Sequence, residues 1–362
     1  MAGKTLKVSK KTTPKKNKKD KKEKSVHVEK QDTLSDALDT FKTRFGDGVI
    51  YSFTGGAIDK DVEVVSTGSI LLDDALGIGG LPYGRVVEIY GPEGGGKTTL
   101  ALHVISAAQK DGKTALFVDA EHALDPSLVK SVRADLDKLC IAQPDNGEQA
   151  LDIVEHAVDV GQFGVIVIDS VSALTPRAEI AGEMGDSHMG LQARMMGQGL
   201  RKIVGKAKKS NTLIIFINQL RMKIGVVFGN PEVTSGGNAL KFFSSVRLDI
   251  RRTGSIKGKG DKIVGNTVKI KVVKNKLAPP YKVIETRLMF GKGLNKYGEL
   301  MDMAIEKDIV ELAGSWITYA DIRIQGKDNF IQLLESDDKL YNKLFTETRN
   351  TEYQEDDGDA DD

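Results

Sequence analysis

Gly91-Pro92-Glu93-Gly94-Gly95-Gly96-Lys97-Thr98 is the stretch on which the fold turns. It fits the spacing G-x-x-x-x-G-K-[ST]. A β-rich run, Val86–Tyr90, leads into it, and a helical pattern, Thr98–Gln109, leads out. Glycines let successive backbone N–H groups turn toward one anion without interference from a Cβ. The first turn of the helix adds its own unpaired donors and dipole. Lys97 then reaches the β- and γ-phosphates, and the Thr98 hydroxyl offers an oxygen to Mg2+. The bland alternative is a glycine-rich surface turn, which the strand–loop–helix order argues against.

Working outward, apolar runs alternate with helical patterns from about Val62. The runs are Val86–Tyr90, Ala115–Asp119, Val165–Asp169, Leu213–Asn218, Val246–Arg251 and Val268–Val273. The helical stretches include Thr98–Gln109, Glu148–Val160 and Leu191–Lys208. Runs such as Val-Ile-Val-Ile-Asp suit a mostly parallel sheet buried on both faces, so the fold class is α/β. Ligands of such sheets gather at the carboxyl ends of the strands. Two acids fall there. Asp169 ends its strand and is placed to hold Mg2+ through water. Glu121, just past Ala115–Asp119, is placed to deprotonate an attacking water, with Asp119 as its competitor. The chain therefore reads as a nucleotide triphosphatase, since phosphoryl transfer rests on positioning and charge neutralisation.

The composition limits what surrounds this core. In 362 residues there is one cysteine, Cys140, which excludes an intramolecular disulfide, and five scattered histidines, which argue against a Cys/His metal cluster. No apolar run approaches the length of a membrane span, and no secretory signal follows the first lysines, so the expectation is a cytoplasmic protein without a membrane partner. The net charge of +1 conceals an uneven distribution. Residues 1–30 carry 12 lysines against 3 acids, whereas residues 352–362 carry 7 acids and no base. Both ends lack the apolar content to fold alone. The lysine arm suits electrostatic contact with nucleic acid or simple solvation. Between them, Leu34, Ala37, Leu38, Phe41 and Phe45 line one face of an amphipathic helix. The expected organisation is a disordered arm at 1–30, a helix and strand for oligomerisation at 31–61, the core at 62–295, a small α-rich domain at 296–345 and a disordered acidic tail at 346–362.

Several stretches together resemble the bacterial RecA recombinase family. They are Ser66–Leu100 around the phosphate loop, Asp119-Ala-Glu-His-Ala-Leu-Asp-Pro126, Gly185–Met196, Asn211–Glu232, Gly236–Phe243, Val246–Arg252 and Lys271-Val-Val-Lys-Asn-Lys276. The resemblance covers about residues 33–345 and is far more specific than a phosphate loop alone. It implies a RecA-type core with an N-terminal oligomerisation helix and a small C-terminal domain. It implies ATP and Mg2+ as cofactors, with ATP held by residues 91–98, Thr99 and Asp125. Glu121 becomes the catalytic base and Asp169 the second oxygen at magnesium. Gln219 becomes the sensor of the γ-phosphate. Lys274 and Lys276 become residues that reach the ATP of a neighbouring subunit, where added positive charge steadies the transferring phosphoryl group. Phe242 and the Leu34–Phe45 helix fall at subunit contacts, and head-to-tail contact that does not close gives a helical filament of identical copies.

Two polar, glycine-rich segments, Glu183–Gly190 and Arg221–Leu240, are long for a compact domain, and such loops are usually functional. The resemblance implies that they hold single-stranded DNA. Arg194 and Arg201, seven apart on one helix, can neutralise phosphates. Gly236 and Gly237 offer bare N–H groups beside Asn238, and Met189 and Ile224 can wedge between bases. Nothing here reads base edges, so specificity would come from pairing with double-stranded DNA. Arg247, Arg251 and Arg252 either attract that duplex or pair with acids. The resemblance adds one more candidate partner, a repressor whose self-cleavage family members stimulate. The reading in view is an ATP-dependent recombinase that pairs and exchanges strands, with DNA-stimulated hydrolysis. The alternative is a ring-forming helicase of related fold.

The chain departs from the family in four places. Gly94-Gly95 stands where Ser-Ser is usual, Leu128 where a tyrosine stacks on adenine, and Gly197 where a serine donates to DNA. Phe290 still offers a ring near the base. The lysine arm is an extension of this chain's own.

Overall fold

A computed structural model describes residues 34–46, 50, 62–188, 190–223, 225 and 229–351. The lysine arm at 1–30, Met189, Ile224 and the acidic residues 352–362 lie outside the described residues, as does nearly all of the strand expected before residue 61. The first 60 residues form one unit and residues 61–362 another. In the first, the helix Leu34–Phe45 carries Asp36 in its first turn and Lys42 and Arg44 in its last, as the helix dipole favours. The Phe41 and Phe45 rings stack at 5.9 Å, and both are exposed.

The second unit is organised by a ten-stranded sheet. Six strands run parallel to one another: Val246–Lys257, Val86–Gly91, Leu213–Met222, Phe163–Asp169, Thr114–Asp119 and Leu139–Ala142, in that spatial order. The period of two along each strand divides the core between two faces. Val87, Ile89, Phe117, Val167 and Ile215 pack on one face against Leu100, Val104 and Ile105 of the helix Lys97–Lys110. Leu116, Val118, Ile166, Ile168 and Phe216 pack on the other. There they meet Leu151 and Val154 of Gly147–Val160 and Met196, Leu200 and Ile203 of Leu191–Ser210. Three antiparallel strands, Ile263–Asn275, Val283–Met289 and Gly293–Leu294, extend the sheet beyond Val246–Lys257.

The C-terminal segment is more mixed than its reading as an α-rich domain. The helices Lys296–Glu306, Lys327–Ser336 and Asp338–Asn350 enclose a three-stranded antiparallel sheet, Glu311–Ala313, Trp316–Tyr319 and Ile322–Gln325. The strands are too short to show a period, and positive φ at Gly314 and Ala320 turns the chain between them. The last helix also takes in residues 346–350, assigned from sequence to the tail, because Leu344 and Thr348 both face the module's core. Buried Glu299 fastens this module to the core. Its carboxylate accepts hydrogen bonds from Ser69 Oγ (2.8 Å), the Ile70 amide (2.7 Å) and the Thr286 hydroxyl.

Candidate active site

Strand register assembles the site. Gly91 lies opposite Gln219, and Asp119 opposite Asp169, so four strand ends meet at one edge of the sheet. The phosphate loop rises from that edge. Gly91, Gly94 and Gly96 adopt positive φ, and a Cβ at Gly96 would meet Leu288 Cδ1 at 2.6 Å, so the turn excludes side chains there. Gly94 has open space, but Gly95 does not, since its Cβ would stand 3.0 Å from the Ile250 carbonyl oxygen.

Lys97, Thr98, Thr99, Glu121, Asp169 and Gln219 line one cavity of about 420 Å³. Lys97 Nζ donates to the carbonyls of Pro92 (2.7 Å) and Gly91 (3.2 Å), which curls the loop over its own lysine. Burial lowers the Lys97 ammonium from its usual range, while Asp169, Glu121 and Glu93 oppose that shift. Thr98 Oγ1 donates to Asp169 Oδ2 at 2.6 Å, so a hydroxyl and a carboxylate oxygen converge as a hard-cation donor set. Burial raises Asp169 to about 6, with Thr98 opposing and Glu121 adding to the shift. Glu121 Oε1 accepts from Gln219 Nε2 at 2.9 Å and from the Ser170 hydroxyl. Ser170 was not singled out from sequence. Its signal is its place directly after Asp169 at a strand end, and Ser172 backs it at 3.0 Å. Asp119, the competing acid, spends its oxygens on the turn that follows, accepting from the Ala123 and Leu124 amides at 3.2 Å each.

Leu128 and Phe290 line the same cavity, as the base-binding reading requires. Gly91, Pro92 and Gly95 do not line it, and serve instead as the loop's frame. Asp125 does not line it either. It caps the helix Pro126–Ser131, accepting from the Ser127 amide (2.7 Å) and hydroxyl (2.6 Å). Lys274 and Lys276 lie apart from this cavity. Lys274 Nζ donates to the Lys241 carbonyl (2.6 Å), and both lysines donate to the carbonyl of Phe242 (3.1 Å each), whose ring is 74% exposed.

The residues that the sequence reading assigned to DNA gather around the helix Leu191–Ser210. Arg194 and Arg201 are exposed on it. Gly237 presses against it so closely that an added Cβ would meet Ala193 at 2.6 Å, and one at Gly236 would meet Val171, outside the helix, at 2.8 Å. The Gly236 amide is not bare, as expected, but donates to Gln192 Oε1 at 3.1 Å. Asn238 occupies the cap position of the short helix Ala239–Phe243. The segment 221–240, read as patternless, contains the strand Glu232–Thr234, which pairs antiparallel with Leu220–Met222 and closes a hairpin. Met195 and Met196 are core residues, so helix packing accounts for both. The arginines beyond mostly pair with acids: Arg247 with buried Glu88 at 2.5 Å, and Arg251 with Glu232 (2.6 Å) and Asp249 (2.9 Å).

Among known proteins, the family model for the RecA N-terminal domain matches residues 32–295, and that for the RecA C-terminal domain matches residues 298–351. A curated relative named "Protein RecA" from Thioalkalivibrio sulfidiphilus is 55% identical over 317 residues, covering 87% of this chain and 92% of the relative. One of the same name from Methylococcus capsulatus is 57% identical over 301 residues, 83% of this chain and 86% of its own. A crystal structure of the RadB recombinase matches 64% of this chain and 98% of its own at 24% identity, with a TM-score of 0.49.

Proposed function

This chain belongs to the RecA family, and from that premise we propose how its residues act in an ATP-dependent recombinase that polymerises on single-stranded DNA, pairs it with homologous duplex and exchanges strands. The relatives do not favour a ring-forming helicase. The observation that carries the mechanism is the convergence of Lys97, Thr98, Glu121, Asp169 and Gln219 on one cavity.

ATP lies with its phosphates on the loop amides, and Lys97 turns from the loop carbonyls to the β- and γ-phosphates. Thr98 and Asp169 are the residues that would hold Mg2+, and an ion bound there would neutralise charge on the phosphate oxygens. Glu121 takes the proton of the attacking water. Gln219, now bonded to Glu121, exchanges that contact for the γ-phosphate and so reports its presence. Lys274 and Lys276 sit beside exposed Phe242 and complete the site of the next protomer, which makes hydrolysis depend on the filament. The exposed aromatic face of Leu34–Phe45 docks on a neighbour. Arg194, Arg201 and the Gly236–Asn238 turn hold phosphates of the bound strand, so hydrolysis responds to DNA. The repressor partner rests on the resemblance alone.

The test is ATP turnover with and without single-stranded DNA, paired with electron microscopy. We expect DNA to raise turnover and open filaments to form. A rate indifferent to DNA, or closed hexameric rings, would overturn the reading.

A further inference from the structure

A second cavity lies apart from the catalytic residues of the nucleotide site. It is a cleft of about 730 Å³ between the ATPase core and the C-terminal module. Lys110 enters it from the end of the phosphate-loop helix, Lys130 and Arg133 from the helix Pro126–Ser131 and its exit, and Lys296 from the start of Lys296–Glu306. Glu335 takes Arg133 at 2.7 Å and Lys292 at 3.3 Å. Asp73, Asp111 and Asp328 line it too, and Asp73 already accepts from the Ser66 hydroxyl (2.6 Å) and the Thr67 amide (2.8 Å). Among the described residues, Lys110, Lys130 and Lys296 have no carboxylate within ion-pair distance. Lys296 is the most telling of them. Its ammonium lies over the rings of Tyr341 (4.6 Å) and Tyr297 (4.8 Å), and its pKa is lowered first by burial and then by the like charges of Lys110 and Arg133, with Asp338 opposing. Lys296 is half-buried while Lys110, Lys130 and Arg133 are exposed at the cleft's mouth, so the repulsion among these cations is felt most at Lys296 and an anion in the cleft relieves it.

We propose that this cleft binds a small phosphate-bearing molecule, with its anionic oxygens on Lys110, Lys296 and Arg133. The volume is that of a site for one small ligand. A multiply charged phosphate answers several lysines at once, where a single carboxylate would answer one. Ser131, Met289, Gly291 and Gly293 line both this cleft and the nucleotide cavity, so the ligand sits against a shared wall. Its occupancy therefore shifts nucleotide affinity, a corollary that rests on the proposed nucleotide site, whereas the binding claim does not.

Inorganic pyrophosphate is the probe, titrated by calorimetry into the full chain carrying Lys97→Ala, which suppresses competition from the phosphate loop. We expect saturable binding that weakens at least tenfold on adding Lys110→Gln or Lys296→Gln. Lys110 is exposed, so Lys110→Gln keeps the test open should Lys296→Gln fail to fold, as a thermal melt would show. Loss of all binding in Lys97→Ala, or equal affinity with and without the cleft lysines, overturns the proposal and leaves the nucleotide reading standing. Binding that appears only when the chain is cut after Thr351 also overturns it, because the cleft's resident would then be the chain's own acidic end.

Discussion

His103 offers a sharp test of how the phosphate-loop helix holds the strand Gly293–Leu294 at the edge of the core sheet. Its imidazole, on the phosphate-loop helix, accepts the Leu294 amide through Nε2 at 2.8 Å. A Cβ at Gly293 would meet that nitrogen at 2.1 Å, so the ring is sealed against the backbone. Burial, reinforced by Lys110 and Lys296, lowers its pKa from 6.5 to about 4. Between those values the unfolded chain takes up a proton that the folded chain refuses. The stability His103 lends is therefore whole above pH 6.5 and is lost as the pH falls toward 4. At 1.36 kcal/mol per pKa unit the full loss is about 3 kcal/mol, of which roughly 2 kcal/mol is gone by pH 5. Urea unfolding at a series of pH values, for the natural chain and for His103→Gln, isolates this share. Glutamine keeps an acceptor for Leu294 but cannot titrate, so the gap between the two curves should narrow by roughly 2 kcal/mol from pH 7.5 to pH 5. Parallel curves would refute the reasoning, since they would mean that His103 is charged in the fold or reaches water freely.

Four further outcomes are expected. Lys97→Ala should weaken nucleotide binding by about tenfold to a hundredfold, as for a lost charge-assisted bond, and an unchanged affinity in a nucleotide titration would contradict its placement. Glu121→Gln should lower ATP turnover by about 10²–10⁴ while leaving ATP binding within a few-fold, so that DNA is retained after mixing with ATP; release at the natural rate would point to another base. Arg247→Met strands Glu88, whose side chain is 0% exposed, and should cost about 3–5 kcal/mol in urea unfolding, with much of it recovered in the Glu88→Gln, Arg247→Met double variant. Removing residues 1–30 should weaken DNA binding most at low salt, and a loss of equal size at high salt would argue against an electrostatic arm.

The parallel core was legible because its strands are continuous apolar runs, and the phosphate loop because its chemistry demands fixed residues at fixed intervals. Elements with weaker burial left no such trace. Leu139–Ala142 lies at the sheet edge with Cys140 and Ile141 exposed, and Glu232–Thr234 is three residues of a polar hairpin. The contact of Ser170 with Glu121 crosses 49 positions, and the approach of Lys110 to Lys296 crosses far more. Both depend on strand order and on how the second module folds back, which local spacing does not encode. Packing also settled what sequence left open. The Gly236 amide, expected bare, donates to Gln192, and Arg247 and Arg251 pair with acids, one of the two readings the sequence allowed.

Those partners bear on how nucleotide and DNA are coupled. The Gln219 side chain touches Glu121, while its own amide donates to Asn218 Oδ1 at 2.9 Å. Asn218 Nδ2 in turn donates to Glu88 Oε1 (2.9 Å) and to the Ser235 carbonyl (3.0 Å), just past the hairpin strand Glu232–Thr234. Glu88 holds Arg247, whose charge acts on Lys274. Asn218 is wholly buried, so none of these bonds can be exchanged for water without cost. If Gln219 moves toward a γ-phosphate, the strand end it terminates must either drag Asn218 or strain the bond to it. Either response falls on Ser235 and on the lysines beside Phe242. The hairpin is tied by hydrogen bonds, and Lys274 by the charge of Arg247, to the same buried amide, and we propose that this connection lets one phosphate group govern both DNA grip and subunit contact.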